Sequence, residues 1–167
     1  MIPGILLLTI VSISSMDKLP TFNLKHKILV ESWLRKNPDF RVAIERDCGD
    51  CLEEITAIRR GMGGQWKAIP NYHPYYMVGD FNGDGVEDFA FVAVSKNMSK
   101  KFKVIIFNGP FTDGADQAPS FISNAMNMSG NGLFFGPPRP KPYRLIVGGF
   151  ESEGRLLLPK GAGYVLK

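Results

Sequence analysis

Histidine is scarce in this chain, and the two that occur belong to no ligand motif. His26 and His73 are far apart in the sequence, and neither forms part of an H-x-x-x-H pair of the kind that binds zinc. A G-x-S-x-G nucleophile elbow is also missing from the sequence. The sequence therefore argues against a zinc site and against a serine hydrolase. It places His26 on a solvated helix face and His73 in an aromatic loop.

The excess of positive over negative charge is also small, because the formal net charge is +4. Basic residues are scattered except in two clusters, at 96–103 and 139–144. Neither cluster has the interleaved aromatics or the helical stripe of a nucleic-acid-binding module. We therefore expect no nucleic-acid partner, and an unidentified protein or glycan is the expected class of partner.

Apolar runs are too short to anchor the chain in a membrane. The clearest one, at 5–11, lies within residues 1–15 and is followed by small serines. This is where a secretion signal would lie, although no Lys or Arg precedes Lys18. The sequence predicts a signal peptide at 1–15, one domain at 16–167 with no membrane span, and a secreted or periplasmic location. A buried first strand or helix of a cytosolic domain is the alternative.

Cysteine occurs twice, in the C-x-x-C pair Cys48 and Cys51 at the start of a predicted helix. Amides at a helix N-terminus lower the pKa of a thiol and would favour a reactive dithiol. The neighbouring Asp47 and Asp50 oppose thiolate formation. In an exported protein, two cysteines at this spacing form a short disulfide more simply. We expect the disulfide, and a reactive dithiol and a shared metal site are the alternatives.

The most informative stretch follows a predicted strand and carries oxygen-bearing side chains at alternate positions. These are Asp80, Asn82 and Asp84, followed by Gly85 for a sharp turn and by Asp88 four residues after Asp84. Calcium takes six to eight oxygens at about 2.3 to 2.6 Å, and a short loop with this spacing can supply several of them. The pattern predicts a calcium site.

In a calcium loop of this spacing, the first three side chains bind through oxygen, Val86 through its backbone carbonyl, and Asp88 directly or through water. The twelfth position, a bidentate Glu in an EF-hand, is Phe91 here and lies in an apolar run. The loop therefore leads into a strand and not into a helix. It resembles the D-x-[DN]-x-D-G-x-x-D loop of FG-GAP and VCBS repeat proteins, over residues 76–95. The resemblance implies calcium as the cofactor, held by Asp80, Asn82, Asp84, Val86 and Asp88.

A metal-free hairpin is the alternative, because Asn-Gly and Asp-Gly favour tight turns without an ion. Against it, four acids within nine residues repel one another unless a cation compensates them. A second copy of the loop is missing from the sequence, so the resemblance does not imply a propeller.

Hydrophobic periodicity predicts two helices, at 23–36 and 51–60, the second capped by Asp50 and ended by Gly61. We expect an α+β fold in which both helices pack on one face of a mainly antiparallel sheet of five to seven strands. The calcium loop would lie between two adjacent strands. Strands are predicted at 40–46, 75–78, 88–95, 102–107, 133–135, 143–147, 155–158 and 164–166.

Two further roles remain open near the loop. Tyr72, Tyr75 and Tyr76 are a candidate ligand platform of the kind found in carbohydrate binders, whereas packing of strands is the commoner use of such residues. Asp84 and Asp88 can be read as the acid and base of a glycosidase, but the metal competes for the same side chains.

These observations favour an exported, calcium-binding, non-catalytic domain that serves as an interaction or envelope protein. The ion would stabilise a strand-loop-strand element. The alternatives are a secreted thiol-disulfide protein and a hydrolase with its site beside the loop.

Overall fold

The computed structural model of the protein describes residues 18–61, 68–136, 143–150 and 154–167. The α+β class is confirmed, while the predicted signal peptide lies outside these ranges. The elements are α1 (Leu24–Lys36), β1 (Phe40–Val42), a 3-10 helix (Glu45–Cys48), α2 (Leu52–Arg60), β2 (Tyr76–Gly79), β3 (Asp88–Ser95), β4 (Phe102–Phe107), β5 (Phe121–Ile122), β6 (Asn131–Phe134), β7 (Leu145–Gly149), β8 (Arg155–Lys160) and β9 (Gly163–Leu166).

The strands form two antiparallel sheets, where a single sheet was predicted. The first has the order β1-β3-β4-β5, with β2 also paired to β3, and the second is the meander β6-β7-β8-β9. The prediction of a single sheet with five to seven strands is therefore wrong, because the described residues form one sheet of five strands and one of four. The reason is that the short C-terminal strands each pair with the next one along the chain.

Strand β3 is buried along almost its whole length, so both faces of the first sheet need a cover. One face packs against α1, and the other packs against α2 and the second sheet. The expectation that both helices lie on one face is therefore wrong. The first cluster contains Phe89, Phe91 and Ala93 with Leu29, Val30 and Trp33 of α1. The second contains Ala90, Val92 and Val94 with Ile55 of α2 and Leu133, Leu145, Val147 and Leu157 of the second sheet.

The capping residues of the two helices agree only in part with those predicted from the sequence. Asn23 caps α1, because its side chain accepts a hydrogen bond from the His26 amide at 2.9 Å. Gly61 ends α2 in the left-handed conformation, as predicted. The predicted cap Asp50 is wrong: the N-cap of α2 is Cys51, and its side chain makes no capping hydrogen bond.

The predicted strand at 40–46 ends early, because β1 stops at Val42. Asp47 turns back and accepts two hydrogen bonds from the Arg41 guanidinium, both at 2.7 Å. It also accepts one from the Ile44 amide at 2.8 Å. This arrangement directs the chain into the 3-10 helix that leads to α2.

A buried ion pair fixes α2 against the segment before β2. Glu45 is 1% exposed and pairs with Arg59 of α2. Arg59 also donates to the Tyr72 carbonyl, from Nε at 3.0 Å and from Nη2 at 2.8 Å.

Among the described residues, no helix is long and apolar enough to cross a membrane.

The prediction that His26 lies on a solvated helix face is wrong, because its side chain is fully buried. It stacks on Phe89 with the ring centroids 4.0 Å apart. Asn23 Oδ1 caps the helix, so the amide nitrogen of Asn23 points at His26 Nε2, 3.2 Å away. Nε2 then accepts, and Nδ1 carries the proton and donates to the Tyr76 hydroxyl at 2.7 Å. Burial lowers the pKa of His26 from 6.5 to about 4.

We predict that this histidine makes the fold less stable in mild acid. The unfolded chain binds a proton at a pKa near 6.5 and the folded chain at about 4, so stability is full above pH 6.5 and falls as the pH drops toward 4. Relative to a His26→Gln variant, the wild type should lose roughly 2 kcal/mol between about pH 7 and pH 5. Denaturant titrations at each pH measure the difference. Burial also lowers the pKa of His73. Because both proteins contain His73, its contribution to the pH dependence cancels in the comparison. Parallel pH curves for the two proteins would refute the prediction.

Candidate functional site

The predicted loop lies between β2 and β3, which are adjacent and antiparallel. Their pairing runs from Tyr76 opposite Phe91 to Gly79 opposite Asp88, which leaves residues 80–87 as the connection. Gly79 has no room for a side chain, because an added Cβ would lie 2.3 Å from the Phe135 ring. The strand-loop-strand arrangement therefore holds the loop beside the second sheet.

Asp80 organises the loop through three backbone amides. Its Oδ1 accepts from the amides of Gly83 at 2.7 Å and Asp84 at 3.0 Å, and its Oδ2 accepts from the Gly85 amide at 2.9 Å. Gly83 and Gly85 have φ angles of 80° and 83°, a region that glycine enters without a steric penalty. The chain therefore wraps around a single carboxylate.

Asn82 and Asp84 complete the outer rim of the loop. The Asp84 amide donates to Asn82 Oδ1 at 2.9 Å as well as to Asp80 Oδ1, so these two side-chain oxygens approach the same atom. Asp84 accepts from the Val86 amide at 2.8 Å and from the Asn82 side-chain amide at 2.8 Å. Three predicted ligands thus gather on one turn of the chain.

Asp88 differs from these residues because it is fully buried. Its Oδ2 accepts from the Phe81 amide at 2.9 Å, and its Oδ1 accepts from the Gly109 amide at 3.1 Å. Burial raises the pKa of Asp88, the negative charge of Asp84 adds to the rise, and hydrogen bonds from the amides of Gly109, Phe81 and Asn82 oppose it. The Asp88 carboxylate therefore faces the interior, whereas Asp84 is exposed and Asp80 and Asn82 are partly exposed.

Across the described ranges, no group of three or more His, Cys, Asp or Glu side chains has a metal-binding arrangement. This result is in line with the inward orientation of Asp88, which leaves two acids at the rim. The ligand set of Asp80, Asn82, Asp84, Val86 and Asp88 stays a prediction.

No protein-family model, curated protein or solved structure matches this chain. The resemblance to FG-GAP and VCBS loops therefore rests on the residues of the loop, and the function has to be argued from side-chain chemistry.

The structure corrects the candidate tyrosine platform. Tyr72 is 2% exposed and Tyr75 is fully buried, and their hydroxyls donate to the backbone carbonyls of Leu133 and Met128. Tyr76 is half-buried and bonds to His26. Tyr72 thus joins the core to the second sheet, and neither Tyr72 nor Tyr75 presents an open face to a ligand.

The predicted disulfide between Cys48 and Cys51 is present. Both residues are nearly inaccessible, at 1% and 4% exposure. They lie at the side of an open cleft of about 640 Å³ that is also lined by Glu54, Lys100 and Phe150. The disulfide closes the turn between the 3-10 helix and α2.

Sequence reasoning missed the residues that surround Asp88. Local sequence patterns assign no role at the loop to Gly109, and they place Tyr164 in the predicted strand at 164–166. Tyr164 Oη lies 3.4 Å from Asp88 Oδ2 and 2.8 Å from Asn108 Oδ1. No local pattern links residues so far apart in the sequence.

We predict that Asp80 stabilises the protein even without a metal. Asp80→Ala leaves three loop amides without their acceptor, and in chelator it should lower the free energy of unfolding by about 1 to 2 kcal/mol. The matched control is Asp113→Ala, because that side chain is 94% exposed and forms a surface ion pair with Lys25. Urea titrations measure both variants. Equal stabilities of the two variants would show that the Asp80 carboxylate does not organise the loop.

Proposed function

We propose that this chain is an exported calcium-binding domain without catalytic activity, in which the ion stabilises the β2-loop-β3 element. The ligands would be the side chains of Asp80, Asn82 and Asp84, the carbonyl of Val86, and Asp88 directly or through water. The element would then present an ordered surface to a protein or a glycan, as in an interaction or envelope protein. The gathering of rim oxygens on one turn is the observation that carries this proposal.

Charge supports the proposal. Asp80, Asp84 and Glu87 form no ion pair with Lys or Arg in the part of the chain that the structure describes. Nε2 of His26 lies 3.8 Å from Glu87, but the lowered pKa of His26 keeps it neutral at pH 7. Carboxylates this close repel one another, and a divalent cation offsets the repulsion.

Export is the second part of the proposal. Disulfides persist in oxidising compartments, and the Cys48–Cys51 bond is compatible with such a location. Extracellular sites bind calcium with dissociation constants on the order of 10⁻⁴ to 10⁻³ M. A loop with two rim carboxylates and one amide is suited to that weak range.

We predict that calcium binds to the loop and raises the melting temperature. At a free concentration about 100 times the dissociation constant, calcium should stabilise the fold by about 2.7 kcal/mol. For a chain of this length, that corresponds to roughly 5 to 10 °C. Calorimetric titration measures the affinity, and thermal melts with calcium or chelator measure the stabilisation.

The double variant Asp80→Asn, Asp84→Asn should lose both effects, and Asp113→Asn, which changes an exposed acid elsewhere, should keep them. Absence of binding heat together with identical melting in calcium and chelator would remove the proposed function.

A thiol-disulfide protein is the second candidate, because the disulfide borders an open cleft and Cys51 lies at the N-cap of α2. Helix N-terminal amides stabilise a thiolate. Burial of both sulfurs and the acidic Asp50 and Glu54 beside them favour a structural bond instead.

For a structural disulfide, we predict that Cys48→Ser lowers the free energy of unfolding by about 2 kcal/mol, measured by urea titration under non-reducing conditions. The purified wild type should contain no free thiol and should not catalyse insulin reduction. Catalysis of insulin reduction by the wild type, and its loss in Cys48→Ser, would establish the second candidate in place of the first.

A further inference from the structure

We propose that Asp88 shapes the loop from inside the protein and does not contact the ion. This inference rests on the proposed function of the loop and changes its ligand set. The spacing of the loop assigns Asp88 to the ion, whereas its contacts in the fold assign it to the interior.

The hydrogen bonds of Asp88 occupy both carboxylate oxygens. Oδ2 accepts from the Phe81 amide at 2.9 Å and Oδ1 from the Gly109 amide at 3.1 Å. One donor belongs to the loop, and the other belongs to the turn after β4. The hydrogen bonds of Asp80 and Asp84 all come from within the loop, whereas Asp88 is fully buried and one of its donors lies outside the loop. To reach an ion at the rim, the Asp88 carboxylate would have to leave the interior and deprive the Gly109 amide of its acceptor, and a buried amide without a partner is costly.

Phe81 shows the same division between the two sides of the loop. Its side chain is fully buried and packs edge-on against Phe135, with ring centroids 5.1 Å apart. It is followed in the sequence by Asn82 at the rim. The loop therefore has an inner side, made by Phe81 and Asp88, and an outer side, made by Asp80, Asn82 and Asp84.

Tyr164 extends the inner side to the second sheet. Its hydroxyl has one hydrogen, which goes to Asn108 Oδ1 at 2.8 Å, the shorter of its two contacts; Asp88 Oδ2 lies at 3.4 Å. Asp88 thus lies where the loop, the end of β4 and strand β9 meet. Its position accounts for a carboxylate at this point without a metal.

The test separates stability from calcium affinity in the intact chain. Asp88→Asn keeps one acceptor oxygen but turns an amide group toward a backbone N–H. It should lower the melting temperature in chelator by about 4 °C or more. Its calcium dissociation constant should stay within about threefold of the wild type, because every ligand remains. Tyr164→Phe should lower the melting temperature less and leave the affinity unchanged.

Asp84→Asn is the matched control from the outer side. It should weaken calcium binding by about tenfold or more, with a melting temperature in chelator close to that of the wild type. A tenfold loss of affinity in Asp88→Asn, with its melting temperature in chelator unchanged, would overturn the inference.

The test still gives an answer if Asp88→Asn does not fold or if the wild type does not bind calcium. If Asp88→Asn does not fold, a crystal structure of the wild type with calcium decides. An Asp88 oxygen at about 2.3 to 2.6 Å from the ion overturns the inference, and both oxygens still on Phe81 and Gly109 support it. If the wild type binds no calcium, the proposed function fails. The role of Asp88 is then judged by whether Asp88→Asn lowers the melting temperature.

Discussion

Burial of β3 on both faces is the constraint on which the rest of the structure depends. Seven of its eight residues are buried, so each face of the first sheet must be covered by another layer. Helix α1 covers one face, and α2 and the second sheet cover the other. The same strand begins with the buried carboxylate of Asp88. The loop therefore lies where the two sheets meet.

This position explains why one short loop has two different sides. The alternate residues Asp80, Asn82 and Asp84 lie at the rim, where their oxygens are held by backbone amides. Phe81 and Asp88 point into the packed interior and tie the loop to its neighbours. An ion at the rim would then bind to a turn that the core already holds in shape, which reduces the entropy lost on binding.

Local patterns in the sequence predicted the local structure well. The bounds of β3 and β4 are those expected from their apolar runs, α1 ends at Lys36 as predicted, and Gly61 ends α2. The Cys48–Cys51 disulfide also followed from its spacing. Each of these features depends on residues that are close in the sequence.

Features that depend on distant residues were not predictable from one sequence. The second sheet, the opposite placement of the helices and the burial of His26 arise from packing between separate elements. At the candidate site, the loop spacing identified Asp80, Asn82 and Asp84 as a group. The environment of Asp88 depends on Gly109 and Tyr164, which are 21 and 76 residues away, and no periodicity encodes such contacts.

The central claim is that the rim of the loop is a calcium site. An amide NMR titration of the isotopically labelled protein with calcium tests it most directly, because Gly83, Gly85 and Val86 each report on one hydrogen bond to a rim oxygen. The account predicts saturable shifts at these amides, small shifts in α2, and full reversal by chelator. Unchanged loop signals, or weak shifts spread over exposed acids and rising without saturation, would contradict it.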